Sequence, residues 1–166
     1  MLKKILKTII IIAAVVFIAI QFYRPEKNNS NEQSKHLSTL YPVPDSVETI
    51  LKVACYDCHS NNTRYPWYAE IQPVGWWLND HIQHAKRDLN FSIFASYRIR
   101  RQYRKLEEIR DPVDGNLMPL PSYTIMHRDA ILTQQQKDLI FRWAGALRDS
   151  IEAHNSPDSL TTPQRR

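Results

Sequence analysis

Cys55-Tyr56-Asp57-Cys58-His59 holds the only two cysteines of the chain, three residues apart and followed at once by a histidine. On one helical turn residues three apart share a face, so both sulfurs can reach one flat partner while the next side chain turns inward. C-x-x-C-H in this form reads as an attachment site for c-type haem, with two thioether bonds to the porphyrin and the imidazole as an axial ligand to iron. The expectation is one covalent haem c on Cys55 and Cys58, with His59 as the proximal iron ligand. A thioredoxin-like redox pair would follow a strand in a βαβ pattern, and a structural zinc site would need further ligands at motif spacing. Neither surrounds this motif.

Haem is attached to reduced thiols outside the cytoplasm, so the motif predicts export. Met1 to Lys7 carries three lysines, and Thr8 to Phe22 is an uncharged apolar run. The run leaves through Ile20-Gln21-Phe22-Tyr23, which offers no small-x-small cleavage site, so residues 1–23 read as a retained membrane anchor ahead of a cleaved signal. From about Ile5 to Tyr23 the segment nearly spans a hydrocarbon core of about 30 Å. Lysines before the run place the body of the protein outside the cytoplasm. The expected location is a bacterial inner membrane, single-pass, with the haem domain in the periplasm.

The net charge of +5 does not point to nucleic acid, because residues 1–27 hold five basic side chains against Glu26 alone and the rest of the chain is nearly neutral. One basic cluster remains at Arg98, Arg100, Arg101, Arg104 and Lys105. Such a run reads first as a solvated helix face and second as a docking surface for an acidic redox partner protein. Residues 24–40 are rich in Asn, Ser, Glu, Gln and Lys and read as a flexible linker. Residues 41–151 suit one small domain, and residues 152–166 read as a disordered tail.

Within the domain the periodicity is helical throughout, which makes the fold class all-α. Asp45 and Glu48 form a candidate capping box, after which Val47, Ile50, Leu51, Ala54, Cys55 and Cys58 fall on one stripe. A second helix starts at Pro73, with Trp77, Leu78, His81, Ile82 and Ala85 on its apolar side. A third puts Ile99, Tyr103, Leu106 and Ile109 together. The last begins at Thr133, with Gln136 three residues on, and buries Ile140, Trp143, Ala144, Leu147 and Ile151. A first helix ending in the attachment motif and a last amphipathic helix carrying an aromatic are the bookends of a cytochrome c-like fold around one haem.

For the sixth iron position Met118 is the leading candidate. It lies in a loop after the turn Asp114-Gly115-Asn116, and Pro119 and Pro121 can hold its thioether in place. His81 is the runner-up, with His84 one turn further; Met126 and His127 lie too near Met118 for all to be ligands. His36 and His154 fall in the linker and tail and read as solvated. The aromatics Tyr65, Trp67, Tyr68, Trp76 and Trp77 are suited to bury a porphyrin face. Arg64 could pair with a propionate, although a surface arginine is the default reading.

The stretches C-Y-D-C-H-S-N-N-T-R-Y-P-W-Y at 55–68, D-H-I at 80–82, L-N-F-S at 89–92 and M-P-L-P-S-Y at 118–123 resemble the bacterial haem-binding domain family related to c-type cytochromes. The similarity covers roughly residues 40–150. It implies covalent haem, an all-helical domain, a periplasmic setting and a distal Met-Pro pair. The function expected is a membrane-tethered electron carrier and not an enzyme. The alternative is a haem-based sensor or peroxidase-like enzyme with an open sixth position.

Overall fold

Helix follows helix through residues 1–161, the part of the chain that the computed structural model describes. The α-helices are α1 (Leu2–Ile20), α2 (Asp45–Ala54), α3 (Tyr56–His59), α4 (Val74–Asp88), α5 (Ile99–Glu108), α6 (Arg110–Asp114), α7 (Pro121–Thr124), α8 (Gln134–Ala153) and α9 (Pro157–Thr161). Short 3-10 turns lie at Leu37–Thr39, Trp67–Glu70, Phe91–Ser96 and Arg128–Ala130. Among the described residues there is no strand, only a single bridge between Asn29 and Asn62. The all-α expectation holds.

Helix α8 carries the expected capping box: Thr133 accepts from the Gln136 amide, and the Gln136 side chain accepts from the Thr133 amide. Its stripe Ile140, Trp143, Ala144, Leu147 and Ile151 is buried as the 3.6-residue period requires. Helices α2 and α5 pack on α8, joined in one core by Leu37, Val47, Leu51, Phe94 and Leu106. On α5 the burial of Gln102 is satisfied, since Tyr41 donates to its Oε1 at 2.6 Å and its Nε2 donates to the Tyr97 carbonyl at 2.7 Å.

At α2 the expected capping box is absent. Pro44 is the cap residue, and Asp45 and Glu48 act through their charge on the first turn. Glu48 accepts a hydrogen bond from the Tyr56 hydroxyl at 2.8 Å. The chain breaks its helical path at Cys55 (φ −126°) and resumes as the single turn α3, so one sulfur sits at the break and the other inside the turn. Gly75 lets the first turn of α4 close on Trp67–Glu70, because a Cβ there would collide with the Ala69 carbonyl.

The expected membrane anchor is overturned: among the described residues no helix is long and apolar enough to cross a membrane. Lys3, Lys4 and Lys7 lie within α1 and not ahead of it. The uncharged run left is Thr8–Ile20, roughly 20 Å at 1.5 Å per residue against a hydrocarbon core of about 30 Å. With the anchor go membrane attachment through a spanning N-terminal helix and the single-pass inner-membrane placement.

Residues 24–40 also differ from the flexible linker expected. Leu37 is 1% exposed in the core, and Asn28, 6% exposed, donates to the Ser60 carbonyl at 2.8 Å and to Thr63 Oγ1 at 2.9 Å. His36, expected in water, caps the Leu37–Thr39 turn and packs edge-on against Tyr56 at 5.6 Å. Of the expected tail, α9 buries Leu160 against the core, and residues 162–166 lie outside the described residues.

The basic cluster divides between two roles. Arg101 donates to the carbonyls of Arg87 (2.9 Å) and Asp88 (3.2 Å) at the end of α4, and its guanidinium lies 4.0 Å from the Tyr97 ring centre. Lys105 is buried and pairs with Asp88 at 2.5 Å and Glu108 at 2.7 Å. Arg98, Arg100 and Arg104 are exposed, as a solvated face requires.

Candidate cofactor-binding site

Around α3 the packing leaves a crevice made of three adjoining cavities. The largest, about 410 Å³, has Cys58, His59, His81, Met118 and Tyr123 in its wall. A second, about 110 Å³, is bounded by Cys55 and shares His59, Met118 and Pro119 with the first. A third, about 310 Å³, opens toward Trp67, Tyr68 and Trp77 and shares Cys58, His81 and Tyr123 with the first. The lining is mainly apolar with a few convergent polar groups, and the two larger volumes fall in the range of cofactor sites. Cys55, Cys58 and His59 thus all border one crevice.

The His59 ring is oriented by the backbone. Its Nδ1 donates to the Leu89 carbonyl at 2.8 Å, which leaves Nε2 as the nitrogen available to a metal. Burial pushes the imidazole below the ordinary histidine range, so the ring is neutral, the form that ligates iron. The carbonyl is itself held by its neighbours. Asn90 accepts from the Ser92 amide (3.0 Å) and donates to Asn61 Oδ1 (2.8 Å), and its own amide donates to the Tyr97 hydroxyl (2.9 Å). Ser92 Oγ accepts from the Asn61 amide at 2.9 Å. The S-N and L-N-F-S segments are therefore two halves of one buried polar network behind the histidine.

Both cysteines are free thiols. Burial pushes Cys55 up to about 12 and Cys58 up to about 11, with the neighbouring Cys58 and Asp57 charges adding to each in turn. A protonated thiol is a poor partner in disulfide exchange, so the pair resists oxidation at neutral pH. In the cofactor-free chain, unfolding releases these protons above the ordinary value of 9.0, while the folded state keeps them to about 11. The folded state thus binds more protons across that window. Stability is expected to fall from about pH 9 to 11, by roughly 1 kcal/mol per pH unit for each thiol, in urea melts of the cofactor-free chain. A chain whose sulfurs are both thioethers should lose none of it.

Met118 lies across the crevice in a loop tied down on both sides. The Leu117 and Met118 amides both donate to the Pro112 carbonyl, at 2.8 and 2.9 Å. Lys137, buried on α8, donates to Asn116 Oδ1 at 2.8 Å, and Asn116 takes the left-handed φ of 56° that asparagine tolerates. His81 shares the cavity, with Nδ1 donating to the Trp77 carbonyl at 2.8 Å and its ring 4.2 Å from that of Trp77. His84 is exposed, and its Nδ1 donates to the Asp80 carbonyl. Met126 is exposed at the outer cavity, and His127 stacks on Tyr123 at 4.1 Å with Nε2 3.0 Å from the Tyr68 hydroxyl. His154 is exposed, as expected.

Sequence reasoning missed Asp57, which is 6% exposed in the attachment turn. Arg64 is not a free surface arginine: it grips this carboxylate through Nε at 3.1 Å and a terminal nitrogen at 3.1 Å. The Tyr123 hydroxyl donates to the same group at 2.7 Å. Burial and then this bond push the Tyr123 phenol up. The one signal available was that Tyr123 belongs to the M-P-L-P-S-Y segment. Of the aromatics, Trp67, Tyr68 and Trp77 do border the crevice, whereas Trp76 turns away and donates to the Tyr23 carbonyl at 2.8 Å.

Compared with known families, residues 15–146 match the haem-binding domain. The chain belongs to the haem-binding domain family. The resemblance seen in the sequence is thereby established, and the protein binds haem. Neither the curated proteins nor the solved structures gave a match. The family's extent takes in the crevice, its polar backing and the segment from Arg24 onward. The residues present fit the group: a neutral imidazole with one ring nitrogen free, two unpaired thiols and a mainly apolar crevice of suitable size.

Proposed function

We propose that this haem-binding protein holds one c-type haem through Cys55 and Cys58, with His59 and Met118 as axial ligands, and that it is an electron carrier with a cytochrome c-like helical domain. The observation that carries the reading is the His59–Leu89 hydrogen bond, which leaves Nε2 free beside a cavity also bordered by Met118. Attachment is balanced without an oxidant. Cys55 and Cys58 would each hold one vinyl group through a sulfur–carbon bond, the thiol proton passing to the other vinyl carbon.

The bound cofactor supplies a one-electron iron couple. The side chains do the rest. His59 is kept in one tautomer by the Leu89 carbonyl, so its ligating nitrogen does not exchange with a proton. Met118, which borders the same cavities as His59, would hold the iron on the other side from the imidazole, and this would favour transfer of electrons over chemistry at the metal. Trp67, Tyr68 and Trp77 border the crevice, where their flat side chains suit contact with a porphyrin.

A second ligand set has its own observation, since His81 borders the same cavity with Nδ1 already engaged. Oxidised and reduced spectra of the haem-loaded chain and of Met118→Ala decide between them. The wild-type protein should show the weak methionine-to-iron band at the red end of the spectrum. Met118→Ala should lose it and bind carbon monoxide when reduced. Unchanged low-spin spectra in the variant would transfer the distal role to His81.

A further inference from the structure

We propose that Asp57 is a positioning residue whose carboxylate, gripped by Arg64, latches the Met118 loop across the crevice through the Tyr123 hydroxyl. This latch deepens the proposed haem ligation and rests on it for the identity of the distal ligand. Asp57 sits between the two cysteines, and four donor contacts converge on its carboxylate. Oδ1 accepts from the Arg64 amide (3.0 Å) and Nε (3.1 Å), and Oδ2 accepts from an Arg64 terminal nitrogen (3.1 Å) and the Tyr123 hydroxyl (2.7 Å). Arg64 in turn donates to the Lys52 carbonyl at 3.2 Å near the end of α2, so the carboxylate cannot swing away.

Tyr123 lies on α7, five residues beyond Met118, and borders the two larger cavities. Among the described residues its bond to Asp57 is the one side-chain hydrogen bond joining residues 117–126 to the attachment turn. The near end of the loop is fixed from α8 through Lys137 and Asn116. At the far end this latch is the side-chain bond to the attachment turn, whereas His127, stacked on Tyr123, meets the Tyr68 hydroxyl at 3.0 Å outside that turn. A buried carboxylate is costly unless its charge is answered, and a hydrogen bond to a charged acceptor exceeds a neutral one in strength. The pairing with Arg64 therefore makes Asp57 a strong and fixed acceptor where the two sides of the crevice meet. The element that holds the cofactor also aims the loop that covers it.

The test uses the full-length, haem-loaded chain. Tyr123→Phe removes one oxygen and keeps the ring stacked on His127. Amide exchange in residues 117–126 should accelerate about tenfold or more, and carbon monoxide should bind the reduced protein about tenfold faster. Exchange in α8 should not change. Tyr103→Phe, whose lost hydroxyl bonds Glu152 at 3.0 Å elsewhere, should leave the loop and gas binding as in wild type. Asp57→Asn with Tyr123→Phe should be no worse than the more affected single variant, as partners in one bond require. Wild-type exchange and binding rates in Tyr123→Phe, or additive effects in the pair, would overturn the latch. Absence of the methionine-to-iron band in wild type counts against Met118 ligation alone, and the exchange rates and the double variant then still decide the latch.

Discussion

Replacing Cys55 and Cys58 together by alanine is expected to abolish covalent haem. Under denaturing electrophoresis the wild-type polypeptide should keep its haem stain and the double variant should show none. The physical reason is that no other thiol exists in the chain, so nothing can substitute for either bond. Single variants should keep partial staining, because one thioether suffices to hold the group on the polypeptide. Alkylation gives the reciprocal result: the denatured haem-loaded wild type should expose no reactive thiol, and the cofactor-free chain should expose two. Haem that leaves the wild-type polypeptide in acidic acetone would overturn covalent attachment, while haem binding as such would stand on the family.

The second large effect concerns Phe94, which is fully buried at 0% exposure. Phe94→Ala is expected to cost about 3–5 kcal/mol in urea unfolding, a large share of the 5–15 kcal/mol typical of a domain. Its ring packs on Tyr41 at 6.4 Å and on Tyr97 at 5.5 Å. Tyr97 in turn receives the Asn90 amide, next to the carbonyl that orients His59. The cavity should therefore loosen the histidine as well as the core. Weaker haem retention by a non-covalent probe, the Cys55→Ala Cys58→Ala variant supplied with free haem, is expected when Phe94→Ala is added. A loss below about 1 kcal/mol would show that the site collapses around the missing ring.

Local spacing was legible in the sequence. The Thr133–Gln136 capping box and the α8 stripe depend on residues three or four apart, and each lies where its period puts it, whereas the stripe expected to run from Val47 through Cys58 is broken at Cys55. The Asp114-Gly115-Asn116 turn before Met118 was legible for the same reason, since asparagine marks the left-handed position. What pairs over long sequence distances was not. Asp57 looks like any polar residue in a short helix until Tyr123, far along the chain, meets it. The α1 reading failed on a boundary: the helix starts early enough to take in three lysines, and an apolar run bounded by its own charges is shorter than the helix that carries it.

Asn28 and its neighbours bear on where a domain is taken to begin. Composition draws that line near Tyr41, where apolar residues become frequent. The structure draws it earlier, because Asn28 bonds the loop after His59, Asn61 donates to the Glu32 carbonyl at 3.2 Å, and Leu37 fills the core. A chain trimmed at the hydropathy boundary would keep every candidate haem ligand and lose the polar strap that braces the loop behind them. Hydropathy measures what a segment can bury, and a strap of asparagines contributes by what it satisfies.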